Sequence, residues 1–233
     1  MGCAEGDVCG KQVLFLVEIL SPWKGHVMEP EIRCACDSLF ASYGTKKVLR
    51  GCSFMVHDRE MVGLVGENGS GKSTLVRSLL GFSRPSGGRI WVTPSVGYCP
   101  QENYLNQRIT FKEHLDFMTE IYAASHVLDS GFINMLLEKL KLVPYLRTRI
   151  GHLSSGTYQK VKFVTAVAHR PAMIFLDEPC DGFDWAMYLA FWEIMTLIRS
   201  EGCAVLMISH LLYDRERFDR IFELREGICE KIQ

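Results

Sequence analysis

A glycine-rich segment directly after a short apolar run constrains the fold of this chain more than any other feature. Residues 66–74 read GENGSGKST and match the pattern G-x-x-x-x-G-K-[ST]. The apolar run 61–65 precedes the segment and an amphipathic stretch follows from Lys72, so we expect a strand, a tight loop and a helix. The segment comprises Gly66, Glu67, Asn68, Gly69, Ser70, Gly71, Lys72, Ser73 and Thr74. This order of elements predicts an α/β domain.

The residue types in this segment are those that a nucleotide phosphate requires. Its three glycines exclude side chains, so backbone N–H groups can surround a phosphate, and the following helix directs its positive end at the anion. Lys72 adds a full positive charge. The Ser73 hydroxyl is placed to bind Mg²⁺ between the β- and γ-phosphates, and Thr74 can contact the α-phosphate. The sequence therefore predicts nucleotide binding, and a plain glycine-rich turn is the less favoured alternative.

Two adjacent carboxylates follow a second apolar run about a hundred residues later. Residues 172–176 read AMIFL and lead directly into Asp177, Glu178 and Pro179. Because ligands bind at the ends of parallel strands, we expect both carboxylates at the site. Asp177 is predicted to reach Mg²⁺, directly or through water, and Glu178 to polarise the attacking water as general base. A solvated turn is the alternative, and the phosphate-binding segment makes it the weaker one.

The remaining pattern predicts a layered domain with a helical insertion. Apolar and β-branched runs predict strands at 34–43, 52–57, 61–65, 89–92, 96–98, 173–176, 204–209 and 220–224. Apolar residues at three- and four-residue spacing predict helices at 72–81, 111–122, 132–141, 157–169 and 185–199. Since helices concentrate between residues 110 and 169, we expect a mostly helical subdomain inserted into the α/β core.

These residues together resemble the ATP-binding cassette family, the nucleotide-binding subunits of ABC transporters, over nearly all of residues 32–233. The resemblance implies a P-loop NTPase (RecA-like) core with an antiparallel β subdomain and an inserted α-helical signature subdomain at about 102–169. It also implies that the chain binds ATP and Mg²⁺ and hydrolyses ATP, with two cassettes pairing head to tail.

A further segment is similar to the family's signature sequence, which usually reads LSGGQ. Residues 153–157 read LSSGT and differ from it at Ser155 and Thr157. The resemblance implies that Ser154 and Gly156 contact the γ-phosphate held by the opposite subunit, using a hydroxyl, backbone N–H groups and a helix N-terminus. A serine-rich helix cap is the alternative reading of the same residues.

Three single residues also match positions of the family. Gln101 matches the glutamine that touches Mg²⁺ and senses the membrane partner, and His210 matches the histidine that acts with Glu178 on the attacking water. Tyr43 matches the aromatic residue that stacks on adenine; its alternative is a core aromatic of a strand. The resemblance thus implies Lys72, Glu178 and His210 as catalytic residues. Residues 180–184, CDGFD, match the family's D-loop only in part.

Charge balance, motif spacing and cysteine content argue against several other classes of protein. There are 26 Lys plus Arg against 27 Asp plus Glu, and this near-neutral balance argues against a general nucleic-acid binder. Only about 80 residues separate Lys72 from Ser154, too few for the long coiled coil of a DNA-repair cassette. Nine cysteines without a CxxC pair predict reduced thiols rather than a metal or redox site.

The first residues differ from the rest of the chain. Residues 1–31 are predicted to be a poorly ordered N-terminal extension, with Met28 as an alternative start. The longest apolar run, 13–20, is shorter than the roughly 20 residues that a membrane helix needs, and no secretory signal is expected.

The predicted function is that of an ATP-hydrolysing subunit of an ABC transporter, acting through a separate transmembrane permease subunit. The partner would be a second cassette, with the protein cytoplasmic and peripheral on the inner face of the cell membrane. The short stretch between the phosphate-binding segment and Gln101 resembles export-type cassettes. A soluble cassette ATPase, such as one of iron-sulfur cluster assembly, is the alternative.

Overall fold

The computed structural model describes residues 31–123, 129–210 and 214–233, and these form two sheets and five α-helices. The strands are β1 Ile32–Tyr43, β2 Lys46–His57, β3 Met61–Val65, β4 Gly87–Val92, β5 Val96–Cys99, β6 Met173–Asp177, β7 Ala204–Ile208, β8 Arg220–Arg225 and β9 Ile228–Lys231. The helices are α1 Lys72–Leu79, α2 Phe111–Ala123, α3 Ser130–Lys139, α4 Ser155–Val167 and α5 Trp185–Ser200. Three short 3₁₀ turns lie at Val143–Tyr145, Ile150–His152 and Arg215–Arg217.

The larger sheet has six strands in the order β5-β6-β7-β3-β8-β9, and every neighbouring pair is parallel except β8 and β9. All five residues of β6 and of β7 are buried, which explains why both read as continuous apolar runs. Because parallel strands all end at the same edge, the segments that follow β3, β5, β6 and β7 meet there.

The smaller sheet is antiparallel, with strand order β2-β1-β4. Its first two strands form a hairpin in which Tyr43 pairs with Lys46. Buried residues of this sheet share one apolar cluster with Leu75, Val76 and Leu79 of α1. The tip of the hairpin is therefore carried close to the start of α1.

The predicted helical insertion lies between β5 and β6, where the structure has α2, α3 and α4. Phe111, Leu136, Leu140 and Phe163 are each no more than 1% exposed and belong to the second apolar cluster of the domain. This arrangement confirms the predicted fold class, and the predicted helices and strands all form, with ends that differ by a few residues except at β2, which begins six residues earlier. The domain boundaries stay a prediction, and residues 1–30 lie outside the described residues.

One strand was missed from sequence. β9 pairs with β8 through a turn at Glu226 and Gly227, both with positive φ (51° and 80°). Three of the four residues of β9 are exposed, so the apolar pattern that reveals a strand is weak there. The turn contains Gly227 but lacks the Asn-Gly or Asp-Gly pair that most strongly signals a hairpin in a sequence.

The prediction of reduced thiols is wrong for two cysteines. Cys52 of β2 and Cys229 of β9 form a disulfide that joins the two sheets across 177 residues of sequence. The pairing could not be predicted because β9 itself was not. Five other cysteines within the described residues are free thiols: Cys34, Cys36, Cys99, Cys180 and Cys203.

Candidate active site

A cleft of about 500 Å³ lies where the ends of the parallel strands meet the tip of the β1–β2 hairpin. It contains eleven of the residues predicted from sequence. These are Tyr43, Asn68, Gly69, Gly71, Lys72, Ser73, Thr74, Gln101, Asp177, Glu178 and His210. Gly66 and Glu67 line an adjoining open space together with Asn68 and His210. The structure thus brings together residues from four separate strand ends and one hairpin.

The geometry of the loop between β3 and α1 explains why two of its glycines are needed. A Cβ atom on Gly66 would lie 2.5 Å from the carbonyl oxygen of Leu224 in β8. Gly71 has φ of 111°, and a Cβ there would approach the side chain of Val48 to 2.9 Å. Neither position therefore accepts a side chain without strain or displacement of its neighbours.

Polar groups of the loop suit a phosphate ligand. The Lys72 ammonium donates hydrogen bonds to the carbonyl oxygens of Gly66 (2.6 Å) and Glu67 (3.0 Å), so its charge is placed within the loop. The Ser70 hydroxyl is buried, and no hydrogen-bond partner for it exists among the described residues. A phosphate would supply an acceptor for this hydroxyl as well as for the bare amides. The loop therefore fits an anionic triphosphate.

Asp177 ends β6 as a buried carboxylate with 6% exposure. Burial, followed by the negative charges of Glu178 and Glu102, raises its pKa to about 6, and the charges of Lys72 and Lys162 act in the opposite direction. A nearby divalent cation would lower this pKa and keep the carboxylate ionised. With the Ser73 hydroxyl and the Gln101 amide in the same cleft, the available donors are the oxygens that Mg²⁺ prefers.

The carboxylate of Glu178 accepts hydrogen bonds from two consecutive residues that follow β7. Its Oε1 receives the backbone N–H of His210 (2.8 Å) and lies 2.7 Å from Nδ1 of that ring. Its Oε2 receives the hydroxyl of Ser209 at 3.0 Å. The Glu178 side chain is 13% exposed and its backbone has φ of 49°, in the left-handed region. This arrangement orients one carboxylate with open access to the cleft.

Ser209 is a site residue that sequence reasoning missed. Its only signal is its position next to His210 at the end of a buried strand, which also suits a plain turn residue. Gln101 and Tyr43 lie where expected, because both are exposed and line the cleft. Tyr43 is 56% exposed, which excludes the alternative of a core aromatic.

The two predicted signature residues, Ser154 and Gly156, do not line this cleft. Gly156 lines a separate cavity of about 450 Å³ that touches the cleft only through Gln101 and Glu178. The Ser154 hydroxyl caps α4: it accepts the N–H of Thr157 at 3.3 Å and hydrogen bonds to its hydroxyl at 2.9 Å. Ser154 therefore caps α4, and the contact of Ser154 and Gly156 with the γ-phosphate of an opposite subunit stays a prediction.

Comparison with known proteins decides the family. The family model described as "ABC transporter" matches residues 49–181. The chain belongs to the ABC transporter ATP-binding family. An uncharacterized ABC transporter ATP-binding protein of Methanocaldococcus jannaschii is 34% identical over 201 residues, which cover 86% of this chain and 76% of that protein. Nod factor export ATP-binding protein I of Rhizobium sp. (strain N33) is 32% identical, over 80% of this chain and 66% of that protein.

A solved ATP-binding subunit of an ABC transporter has the same fold, with a TM-score of 0.78 and 28% identity over 85% of this chain and 89% of that one. These findings confirm the predicted family and the predicted activity: the chain binds and hydrolyses ATP. Among the described residues, no helix has both the length and the apolar character that a membrane crossing requires.

Proposed function

We propose that the chain is the ATP-hydrolysing subunit of an ABC exporter, in which ATP closes two cassettes head to tail and a separate membrane subunit responds. The observation that carries this proposal is the separation of the two predicted half-sites. The phosphate loop and the signature residue Gly156 line different cavities of the same chain. This separation supports a pairing in which a second cassette supplies the signature that faces a nucleotide in the cleft.

Each cleft residue then has a role in hydrolysis. Lys72 and the loop amides bind the phosphates, while Tyr43 offers a ring face to the base. Ser73, Asp177 and Gln101 would hold Mg²⁺, which neutralises charge on the β- and γ-phosphates when bound. Glu178 accepts the proton of the attacking water.

His210 orients that base. Its backbone N–H and ring both reach Glu178 Oε1, so the carboxylate cannot turn away from the cleft without losing two hydrogen bonds. The imidazole itself is 60% exposed and can reach a ligand in the cleft. Movement of the segment after β7 would therefore change the hydrogen bonds that orient the base.

Exposed aromatic residues near Gln101 support docking of a partner there. Phe82 is 69% exposed and lies with its ring centre 6.0 Å from that of Tyr98 in β5. Tyr104, three residues after Gln101, is 46% exposed. A membrane subunit seated on this surface would keep the cassette at the inner face of the cell membrane. The similarity to a Nod factor export protein favours export over import.

Mixing two inactive variants tests the head-to-tail pairing. Lys72→Ala removes phosphate binding, and Gly156→Glu places a negative charge at the signature, where a Cβ meets nothing closer than 3.8 Å. One of the two sites in a mixed pair combines an intact loop with an intact signature. We expect each variant alone to be inactive and the mixture to recover ATPase activity. If the mixture stays as inactive as either variant alone, the site forms within one chain.

Purification from detergent extracts tests the transport role. The tagged wild-type chain is expected to bring down a stoichiometric membrane protein with several spans. The Lys72→Ala variant is the matched control, because it leaves the surface near Gln101 intact and should retain the partner. Recovery with a soluble scaffold complex alone would contradict the transport role and favour the alternative of iron-sulfur cluster assembly.

A further inference from the structure

A lysine is buried behind the nucleotide cleft, in the helix that begins at the signature. Lys162 of α4 is 1% exposed and lies between the buried apolar residues Val161 and Phe163. Burying an ammonium group costs several kcal/mol unless hydrogen bonds compensate for the lost water. An apolar side chain of the same length would suit this position in the core better. The lysine is therefore explained only by what its ammonium group binds.

The ammonium group binds the backbone of the segment that follows β5. Its Nζ donates to the carbonyl oxygens of Pro100 at 2.8 Å and Gln101 at 2.9 Å, and it lies 3.5 Å from that of Glu102. These three residues lie beyond the last residue of β5, so no neighbouring strand pairs with them. One cation thus converges with three consecutive carbonyl groups, using the three donors that an ammonium has.

The hydrogen bond from Lys162 restrains the backbone of Gln101 rather than its side chain. The carbonyl group of Gln101 accepts a part-buried hydrogen bond from Lys162, while Gln101 itself is exposed and lines the cleft that also contains Asp177 and Glu178. Since the backbone is bound on one side, the amide on the other side has a limited range of positions. Loss of the ammonium group would remove all three contacts to the segment and leave the buried carbonyl group of Pro100 without this donor.

The same side chain links this segment to the signature. α4 begins at Ser155, and Lys162 lies two turns further along the same helix. A helix of this length transmits a displacement of its first turn to Lys162, because its backbone hydrogen bonds make it rigid. Movement at the signature would therefore reach Gln101 through a direct contact.

We propose that Lys162 is a positioning residue of the ATPase, which holds the backbone of Gln101 so that its side chain meets the nucleotide-bound metal. This inference rests on the proposed role of Gln101 in the cleft. It assigns no contact between Lys162 and ATP. It predicts that removal of the ammonium group slows turnover while nucleotide binding at the phosphate loop is retained.

The test compares Lys162→Met, which keeps the length and removes the donors, with Lys162→Arg, which keeps a cation. For Lys162→Met we expect kcat to fall about 10- to 100-fold, because a misplaced catalytic group costs this much, with ATP affinity changed less than about 3-fold. Lys162→Arg should recover part of kcat. Lys160→Met is the matched control: Lys160 lies on the same helix and donates to the carbonyl oxygen of Leu140, 3.3 Å away.

A double-mutant cycle with Gln101→Ala separates positioning from general structure. Gln101→Ala should lower kcat by more than about 3-fold in the wild-type protein. If Lys162 acts through Gln101, the same change in the Lys162→Met protein should lower kcat further by less than about 3-fold. Wild-type kcat in Lys162→Met, or full additivity of the two changes, would overturn the proposal. If Lys162→Met does not fold, Lys162→Gln, which keeps a donor without the charge, provides the same cycle. An inactive wild-type protein would instead contradict the proposed function itself.

Discussion

At the scale of single residues, the chemistry depends on how Glu178 is oriented. Its carboxylate accepts hydrogen bonds from Ser209 and from the N–H of His210, and its backbone has positive φ. Such a conformation costs a non-glycine residue about 1 kcal/mol or more, and it persists because the neighbouring contacts compensate for it. These hydrogen bonds hold the Glu178 carboxylate at the cleft, while Asp177, its neighbour in sequence, stays buried at the end of β6.

Glu178→Gln should separate ATP binding from hydrolysis. The amide has nearly the same shape and leaves the phosphate loop untouched, but it cannot accept a proton from water. We expect turnover to fall at least about 100-fold, with ATP affinity close to wild type and an ATP-bound dimer on gel filtration. Ser209→Ala is the milder comparison, since it removes one hydrogen bond and leaves the base. Near-wild-type turnover in Glu178→Gln would show that another group is the base.

At the scale of secondary structure elements, most of the fold follows from pattern. β6 and β7 are apolar at nearly every position because both their faces are covered, so their runs were readable from sequence. β9 could not be predicted from its own residues, because three of the four are exposed and show no apolar pattern; the strand is evident only from its pairing with β8. The residues that follow the buried strands were predictable as a set, because parallel strands end at the same edge of the sheet. The contact of Ser209 with Glu178 was not predictable, because it joins side chains of two separate loops.

The turn between β2 and β3 shows how one departure from the family pattern is accommodated. The family commonly has a Gly-Glu turn where this chain has Asp58, Arg59 and Glu60. Arg59 adopts the left-handed conformation that glycine favours, with φ of 56°. Glu60 accepts the N–H of His57 at 2.8 Å and binds the Arg220 guanidinium. Although burial raises the pKa of Glu60, these hydrogen bonds outweigh burial and lower the pKa.

Arg59→Gly should therefore stabilise the domain. Relief of the left-handed strain is worth about 1 to 2 kcal/mol, and the greater freedom of glycine in the unfolded chain removes about 0.5 to 1 kcal/mol of that gain. We expect a net increase of about 0.5 to 1 kcal/mol in the free energy of unfolding, measured by urea denaturation. Asp58→Gly, at the neighbouring position without positive φ in the structure, is the control and should not stabilise. If Arg59→Gly lowers the free energy of unfolding instead, the contacts of the Arg59 side chain stabilise the domain by more than the backbone strain costs.

At the scale of the whole molecule, the two sheets are joined at the side of the cleft. Cys52 of β2 and Cys229 of β9 form the disulfide, and the N–H of Arg50 donates to the carbonyl oxygen of Gly227 at 2.7 Å. Val48, in the same strand, lines the nucleotide cleft. The link therefore keeps the hairpin that carries Tyr43 against the sheet that carries the phosphate loop.

Reduction of this disulfide should lower stability without unfolding the cleft. A cross-link across 177 residues greatly restricts the conformations of the unfolded chain. Its reduction is therefore expected to lower the free energy of unfolding by up to about 5 kcal/mol. We expect dithiothreitol to lower the Tm of the wild-type protein and to leave the Tm of a Cys52→Val, Cys229→Val double variant unchanged. Because the apolar cluster shared by α1 and the smaller sheet still packs, ATP should bind to the reduced protein. Alkylation of both cysteines without prior reduction, together with a Tm insensitive to dithiothreitol, would show that the two sheets are held by packing alone.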